Sequence, residues 1–501
     1  MSAVINTHTT MKYTHSLTFR LLFLAAVVVL MSSCLNDYLS VEPLADITTE
    51  GYWQSENDVR AELNAGYAHI KNAYKTGFLY WTEARSDNFL GNVTGGSPVQ
   101  NITLNKLHST LGACNWNHWY NLVSVSNYAI HFIPTMHGKV DEHRLNHLLS
   151  EAYFLRAYAY FNLYRIWGDV PLVTEPVLRK SEVRKPGKSS KEEVFALVVS
   201  DLEKADSLVD VTVTELFIYS PAALYALTTD VAMWEHDYEK AVRYSDKLYA
   251  LGKHSIEGVD FADVCRDATT SDNIWTLKWN YTTDGENTIC STLANSSNPL
   301  VPTFEIFQKW FAWEREFSSR DLRRVATIDS AKYKTFTTKH VMSLPNSTQC
   351  WKWSPGEHKP QTEYQECYIP LYRLADIILL RAEALNRLGR TDESIEEMNR
   401  VRRRAGLPDK DASYYGGDSN KLEEDIWQER QFELYAEGRR WFDLMRTGRV
   451  ETVMNHYFEN YIAKYGGAGA YRVFESEWQH YWPVHQDILN ENENLRQTGS
   501  Y

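Results

Sequence analysis

The chain has 501 residues and a formal net charge of −13, so it is longer than one small core normally accommodates. The acidic balance argues against nucleic-acid binding and against attachment by charge to an anionic lipid surface. Apart from Cys34, five cysteines remain and no C-x-x-C pair occurs, which indicates neither a disulfide framework nor a zinc site.

The N-terminal region has the pattern of an export signal that ends at a cysteine. The apolar run Leu21–Met31 follows Lys12 and Arg20 with no acidic residue before it, and it is shorter than the roughly 20 apolar residues of a transmembrane helix. The Ser-Ser-Cys34 that follows resembles a bacterial lipobox. Residues 1–33 are therefore predicted to be a lipoprotein signal peptide, and Cys34 the lipidated first residue of the mature chain. An ordinary signal peptide with an unrelated cysteine is the alternative.

Helical periodicity dominates the next part of the chain. In the segment 143–167, two apolar stripes indicate a helix that is buried on most of its circumference. Gly168 supplies a C-cap and Pro171 prevents continuation of this helix. Further helices are predicted at 56–74, 115–133 and 190–209.

Two later segments, Pro221–Gly252 and Leu374–Gly406, repeat a helix–turn–helix pattern. When one segment is shifted onto the other, Leu224 coincides with Ile377 and the later apolar positions also agree. This pattern is typical of tetratricopeptide-like units. Single units cannot bury their apolar faces alone, so we expect the earlier helices to stack beside them.

Two stretches interrupt the helical pattern. Residues 255–365 combine short β-like pieces such as Asn273–Thr283 with loops rich in Ser, Asn, Pro and Thr, and Leu90–Leu104 has the same character. Loops of this length inside a compact protein are usually either functional or disordered. We predict a single domain over 34–501, with a helical scaffold at about 45–250 and 366–450 and loop-rich insertions at about 77–112 and 255–365.

The segment Glu429–Arg449 has the densest charge pattern of the chain. An ion-paired scaffold helix explains this pattern better than an acid/base constellation does. Gly438 in its middle is expected to permit a bend or a close helix contact. Three pairs of opposite charge have i, i+3 spacing: Arg430/Glu433, Glu437/Arg440 and Asp443/Arg446.

No enzyme signature occurs in the sequence. H-E-x-x-H, G-x-S-x-G and the phosphate-binding glycine loop are absent. Glu142, His143 and His147 are metal-ligand types, but without a third ligand nearby they favour a solvated helix face. A glycosidase carboxylate pair that is distant in sequence stays open as an alternative. We therefore predict a protein that is not an enzyme and has no cofactor and no metal.

Ordered motifs along the chain resemble the SusD/RagB family of surface nutrient-binding lipoproteins. After Cys34 come LNDYLSVEPLADITTEGYW, FLRAYAYFNLYRIWGDVPLV, the DLRR of Asp321–Arg324 and YIPLYRLADIILLRAEALNRLGR. ERQFELYAEGRRWFDLMRTGR and the tail YWPVHQDILNENENLRQTGSY follow. The tail ends in Gly-Ser-Tyr501, whereas the family pattern ends in Gly-Tyr.

The resemblance implies a mainly α fold in which tetratricopeptide-like helix pairs support a loop-rich ligand face, with minor short β-strands. It also implies a lipid-anchored position on the outer membrane, facing the cell exterior, and a SusC-like TonB-dependent transporter barrel as partner. The expected function is capture of an oligosaccharide or polysaccharide for import. A peptide ligand is the first alternative, and a glycoside hydrolase is a less favoured one.

Two loop-flanked segments, WTEARSDNFLGN and WTLKWNYTT, combine aromatic and polar side chains. Sugar rings stack on flat aromatics, and their hydroxyls need hydrogen-bonding groups. FQKWFAWERE adds two tryptophans that suit an amphipathic helix equally well, and for every tryptophan a place in the core is the alternative. Trp279→Ala combined with Asp87→Ala is expected to abolish ligand binding with little change in the thermal melt. The predicted ligand contacts are Trp81, Arg85, Asp87, Asn88, Trp279, Asn280, Tyr281, Trp310 and Trp313.

Overall fold

The computed structural model divides the chain into two units, residues 1–54 and residues 55–501. It describes residues 52–91, 98–285, 287–293, 300–317, 320–327, 350–353, 367–463 and 471–501. The predicted signal peptide and Cys34 lie outside the described residues. The fold described below is that of the second unit.

Helices make up most of the described chain, and none of those in the described ranges is long and apolar enough to cross a membrane. In chain order they are α1 (Glu56–Trp81), α2 (Pro98–Thr103), α3 (Asn117–Phe132), α4 (Glu142–Trp167), α5 (Lys191–Leu208), α6 (Pro221–Glu235), α7 (Tyr238–Ala250), α8 (Tyr281–Asp284), α9 (Thr288–Leu293), α10 (Phe304–Phe317), α11 (Leu322–Thr327), α12 (Leu374–Arg387), α13 (Thr391–Arg404), α14 (Ala412–Tyr415), α15 (Ser419–Glu433), α16 (Arg440–Arg446), α17 (Val450–Tyr457) and α18 (Gln486–Glu491).

The helix ends follow from local capping chemistry. The side chain of Asp141 accepts a hydrogen bond from the backbone of Arg144 at the start of α4, and Gly168 ends that helix with a φ of +73°. Ser190 and Glu193 form a capping box at the start of α5. Helix α4 therefore begins and ends close to the bounds that the periodicity predicted, and so does α5.

Four helix pairs form the scaffold. Helices α1 and α3, α4 and α5, α6 and α7, and α12 and α13 pack against each other, and α12 also packs on α7 and α15. The two predicted helix–turn–helix repeats are confirmed as α6–α7 and α12–α13. Stacking of further pairs beside them buries the apolar faces that one pair would leave exposed. The mainly α prediction is confirmed.

In the described ranges, two short antiparallel strand pairs accompany the helices. In the first pair, β1 (Phe89–Gly91) lies beside β3 (Leu300–Pro302), with Leu90 opposite Val301. In the second, β2 (Asn273–Leu277) lies beside β4 (Ile369–Arg373) with irregular register. Because β1 belongs to the first loop-rich insertion and β3 to the second, the first pair joins the two insertions directly.

The segment 429–449 is not one helix, so this part of the prediction was wrong. Helix α15 ends at Glu433 and α16 begins at Arg440. Between them, residues 434–439 form a turn in which Ala436 and Gly438 have φ values of +66° and +76°. We call this segment the 434–439 turn. Positive φ at two positions cannot continue a right-handed helix.

The charges of this segment find their partners mostly on other elements. Of the three predicted i, i+3 pairs, Asp443 and Arg446 form an ion pair at 2.8 Å. Arg430 instead pairs with Asp376 at 2.9 Å, and Arg440 pairs with Asp87 at 2.8 Å. Most of these charges therefore pair with residues of other elements and not with neighbours on the same helix.

Candidate functional site

The 434–439 turn offers backbone acceptors to the second insertion. Lys352 Nζ donates to the carbonyl oxygens of Glu433 and Tyr435 at 3.1 and 3.2 Å, and Trp353 Nε1 donates to the carbonyl of Ala436 at 3.0 Å. A helix that stops leaves its last carbonyls without intrahelical partners. Here Lys352 and Trp353 satisfy them and thereby fix residues 350–353 on the scaffold.

The same turn holds the first insertion through a backbone donor. The Gly438 N–H donates to Glu83 Oε1 at 2.6 Å, and Asn88 Nδ2 donates to the other oxygen of Glu83 at 3.1 Å. Glu83 is fully buried. Burial raises the pKa of this carboxyl to about 7. Both insertions are thus attached to the scaffold at one turn.

Glu83→Gln is expected to remove a pH dependence of stability. The unfolded carboxyl titrates near 4.5, whereas the folded one titrates at about 7. As pH rises from 4.5 to 7, the unfolded state of the wild type therefore loses its proton first, and the folded state is destabilised relative to it by up to roughly 3 kcal/mol. Urea unfolding at pH 4 to 8 measures this: the free energy of unfolding of the wild type minus that of the variant should fall across the interval.

The control for this experiment is Glu215→Gln, since Glu215 lies exposed in a loop. Its difference from the wild type should stay flat from pH 4 to 8. A difference between wild type and Glu83→Gln that does not change with pH would show that the raised pKa of Glu83 is wrong.

Asp87 links both insertions to the scaffold helices α15 and α16. Its carboxylate accepts from Arg440 Nε at 2.8 Å and Arg440 Nη2 at 3.0 Å, from Lys309 Nζ at 3.1 Å and from Gln431 Nε2 at 3.2 Å. Burial alone would raise the pKa of Asp87, but the Arg440 and Lys309 charges outweigh burial and hold it well below the usual range. The carboxylate is therefore ionised and fully paired in the core.

A second buried cluster surrounds Arg373 at the end of β4. Its guanidinium pairs with Glu433 at 2.5 Å, Glu437 at 2.7 Å and Asp272 at 3.0 Å. Arg404 pairs with Asp272 at 2.7 Å and also with Glu433. Burial raises the pKa of Glu433, but Arg404 and Arg373 outweigh it and hold the pKa well below its ordinary value. Buried charges are tolerated when each is paired in this way.

The structure places most of the predicted ligand contacts in the core. Seven of them have at most 7% of their surface exposed: Trp81, Arg85, Asp87, Asn88, Trp279, Trp310 and Trp313. Trp81 Nε1 donates to the Ala113 carbonyl at 2.7 Å, and Arg85 donates to Asn105 Oδ1 at 2.9 Å. Trp310 stacks on Phe432 with ring centroids 4.7 Å apart.

For these seven residues the burial agrees with the core alternative rather than with an exposed contact surface. In this conformation they present little surface to a ligand. Asn280 and Tyr281 are the two at the surface, Tyr281 being 41% exposed. A ligand role for these two stays a prediction.

The predicted residues fall into two groups in space. Asp87 is tied to the second insertion by Lys309, and its backbone carbonyl accepts from Thr303 Oγ1 at 2.7 Å. Trp279, Asn280 and Tyr281 lie instead at the start of the short helix α8. An ion pair between Asp284 of α8 and Lys71 of α1, at 2.9 Å, fixes this segment on α1.

Sequence reasoning missed the residues that hold the insertions in place. Glu83, Lys352, Arg373 and Gln431 were not among the predicted site residues, although three of them lie in segments quoted above. The one available signal was Gly438 inside a charge-rich segment, which was expected to allow a close contact. That expectation is confirmed: a Cβ at Gly438 would lie 2.3 Å from Phe78 Cε2.

Metal ligation has no support in the described ranges. There, no group of three or more His, Cys, Asp or Glu side chains comes together in a way that could hold an ion. His143, considered above as a metal ligand, instead lies 3.7 Å from Asp210.

Comparison with known protein families gives two matches. A family described as "SusD family" matches residues 318–501, and one described as "Starch-binding associating with outer membrane" matches residues 37–232. SusD-like protein P38 of Formosa agariphila is 30% identical over 484 residues, which cover 88% of this chain and 92% of that protein. The starch-binding protein SusD of Bacteroides thetaiotaomicron is 29% identical over 168 residues, covering 33% of this chain and 28% of that protein.

Solved structures share the fold. A SusD superfamily protein from Bacteroides vulgatus superimposes with a TM-score of 0.73 at 19% identity, covering 90% of this chain and 100% of that one. A laminarin-binding SusD-like protein gives a TM-score of 0.70 at 20% identity, covering 89% and 100%. At these identities the likeness shows the fold alone.

Proposed function

The chain belongs to the SusD family, and from that premise we propose that it is a non-catalytic, glycan-binding protein of the outer-membrane surface. The observation that carries the proposal is the attachment of both loop-rich insertions to the 434–439 turn. Lys352 and Trp353 bind it from one insertion and Glu83 from the other. This arrangement supports a loop-bearing face that is fixed before a ligand arrives.

A fixed face favours binding because little order has to be imposed on it. Association always loses freedom of motion, and loops already held in place lose less. The ion pairs of Asp87 and Arg373 hold the bases of the insertions in the core. A helical scaffold that carries loops in this way is the usual arrangement of a recognition site.

The names of two similar proteins support a carbohydrate ligand. One relative is named a starch-binding protein and one structural neighbour is named laminarin-binding. Starch and laminarin are both uncharged glucans. We therefore infer that an uncharged polysaccharide is the first ligand class to test.

The buried carboxylates support binding rather than catalysis. A glycoside hydrolase needs an acid that reaches the scissile bond. Glu83 has the raised pKa that suits a general acid, but it is fully buried and both of its oxygens accept hydrogen bonds. Asp87 and Glu433 are paired with arginines. None of these three offers a carboxyl group to a substrate.

We infer that the protein is anchored through lipidated Cys34 and passes its ligand to a SusC-like TonB-dependent transporter barrel. The family described as associating with the outer membrane supports the location. A lipid-anchored protein does not itself carry a solute across a membrane, which supports a channel partner. Labelled-palmitate incorporation that is lost in Cys34→Ala tests the anchor. Recovery of a large β-barrel protein after mild detergent extraction tests the partner.

Titration with starch and laminarin is expected to show binding without release of shorter products. If Tyr281 stacks on the sugar, Tyr281→Ala should weaken binding about three- to tenfold, in line with roughly 0.5–1.5 kcal/mol for an aromatic contact. The melting temperature should change little because Tyr281 is 41% exposed. Calorimetry measures the affinity, and a reducing-end assay measures cleavage.

Tyr281→Phe is the matched control, since it keeps the ring and should keep most of the affinity. Sustained production of new reducing ends would refute the non-catalytic assignment. Unchanged affinity in Tyr281→Ala would place the ligand elsewhere on the protein.

A further inference from the structure

An open cleft of about 470 Å³ lies on the helical scaffold and is lined by residues of α4, α5 and α6. Small-molecule sites typically measure roughly 300–1,000 Å³. None of the residues predicted from the sequence lines this cleft. It belongs to the scaffold and not to the insertions.

Three aromatic rings form one side of the cleft. Tyr164 of α4 contacts Phe195 of α5 with ring centroids 5.0 Å apart, and Trp234 of α6 at 5.6 Å. All three residues are partly exposed. Each comes from a different helix, so the packing of the scaffold creates a continuous aromatic wall that no single segment of sequence reveals.

Trp234 contributes its ring and not its N–H to the cleft. Its Nε1 is buried and donates no hydrogen bond to any residue in the described part of the chain. Because that atom has no accessible surface, a ligand in the open cleft does not reach it in this conformation, whereas the partly exposed ring offers a stacking surface.

The rim of the cleft carries acceptors. Glu192, Glu203 and Glu235 line it with exposed carboxylates, and Lys191 is a cation that already pairs with Glu477. Sugar hydroxyls donate hydrogen bonds to carboxylates, while sugar rings stack on aromatic side chains. An ammonium group would pair with the same carboxylates, so a cationic ligand is the competing outcome of the test.

We propose that the cleft between α4, α5 and α6 is a second glycan subsite that binds uncharged sugar units by stacking on Tyr164, Phe195 and Trp234. The acidic rim repels uronate and sulfate groups, so anionic polysaccharides are rejected. The proposal rests on the glycan-binding function given above and adds a ligand class and a place apart from the insertions. A long glycan that reaches both sites would bind more tightly than one confined to either.

The test uses the full-length protein in detergent, titrated calorimetrically with maltoheptaose, laminarihexaose and alginate. Phe195→Ala removes one ring of the aromatic wall, and Trp234→Phe replaces the indole by a smaller ring. We expect about tenfold weaker binding of the preferred glucan by Phe195→Ala and about three- to tenfold by Trp234→Phe. Alginate should not bind.

Phe132→Ala on α3 is the matched control, because it removes a partly exposed phenylalanine outside the cleft. It should bind like the wild type, and thermal melts should show that all variants fold. If both cleft variants bind like the wild type while Tyr281→Ala is weakened, the second subsite is overturned and the proposed function stands. If the wild type binds no glucan, the proposed function fails and the subsite with it. Binding of lysine methyl ester in place of glucan, lost in Phe195→Ala, would overturn the sugar assignment.

Discussion

Asp87→Ala is expected to lower the free energy of unfolding by about 3–5 kcal/mol, the range for removing one partner of a buried ion pair. The Asp87 side chain is 0% exposed and Arg440 is 9% exposed, so the substitution leaves a guanidinium in the core without its carboxylate. Lys309 is 31% exposed and can turn toward solvent, which limits the loss. Equilibrium urea unfolding at pH 7 measures the change.

The controls separate charge from shape. Asp87→Asn keeps the volume but not the charge and should lie between wild type and Asp87→Ala. Asp263→Ala removes an exposed aspartate and should stay within about 0.5 kcal/mol of the wild type. The folded pKa of Asp87 is depressed, so the carboxylate stabilises the folded state fully at pH above its unfolded pKa near 3.8. This stabilisation is lost as pH falls toward the folded pKa. Equal stability of Asp87→Ala and Asp263→Ala would show that this ion pair does not stabilise the core.

The same burial changes the expected outcome for the combined Trp279→Ala and Asp87→Ala variant. Trp279 is 3% exposed and its Nε1 donates to the Gly285 carbonyl at 2.9 Å. Both substitutions therefore act on the core, and the thermal melt of the double variant should fall substantially. Loss of ligand binding in that variant would report unfolding and not a contact with the ligand.

Sequence periodicity was sufficient for the scaffold because helix pairs are local. The stripes of α4 and the repeated pattern of α6–α7 and α12–α13 lie within short segments, and α4 and α6 are capped by side chains of adjacent residues. Helix α12 is the exception, because Asp272 Oδ1 accepts from the Ala375 N–H. The bounds of the two insertions, taken from composition, stay a prediction. The break at residues 434–439 was not predicted, because an i, i+3 charge pattern looks the same whether its partners are local or distant.

The contacts that hold the two insertions on the scaffold could not be predicted for the same reason. Asp87 and Arg440 are 353 positions apart, and Gly438 and Glu83 are 355 apart. A single sequence contains no signal that joins residues at such separations. Charged and amide side chains in a loop-rich stretch were expected at the surface, whereas the fold buries them and pairs them. The tryptophans followed the core alternative.

Gly438→Ala is expected to lower the free energy of unfolding by roughly 2–5 kcal/mol and to weaken ligand binding. A φ of +76° disfavours any residue with a Cβ by about 1–2 kcal/mol. The added Cβ would also lie 2.3 Å from Phe78 Cε2 and 3.2 Å from Thr82 Oγ1, and overpacking of this kind adds about 1–3 kcal/mol. Phe78 and Thr82 lie just before Glu83 in the chain, so their displacement moves Glu83 away from the turn that anchors it.

Gly448→Ala separates the cost of a positive φ from the cost of overpacking, because Gly448 has a φ of +66° and no atom within 4 Å of the added Cβ. Its free energy of unfolding should fall only by the cost of the positive φ, and its ligand affinity should not change. Gly438→Ala combined with Phe78→Ala should be more stable than the sum of the single losses predicts, since the second substitution removes the atoms that collide. Equal losses in Gly438→Ala and Gly448→Ala would mean that the close approach of Phe78 is unimportant. The anchoring of the first insertion would then depend on the ion pairs of Asp87 and not on the shape of the turn.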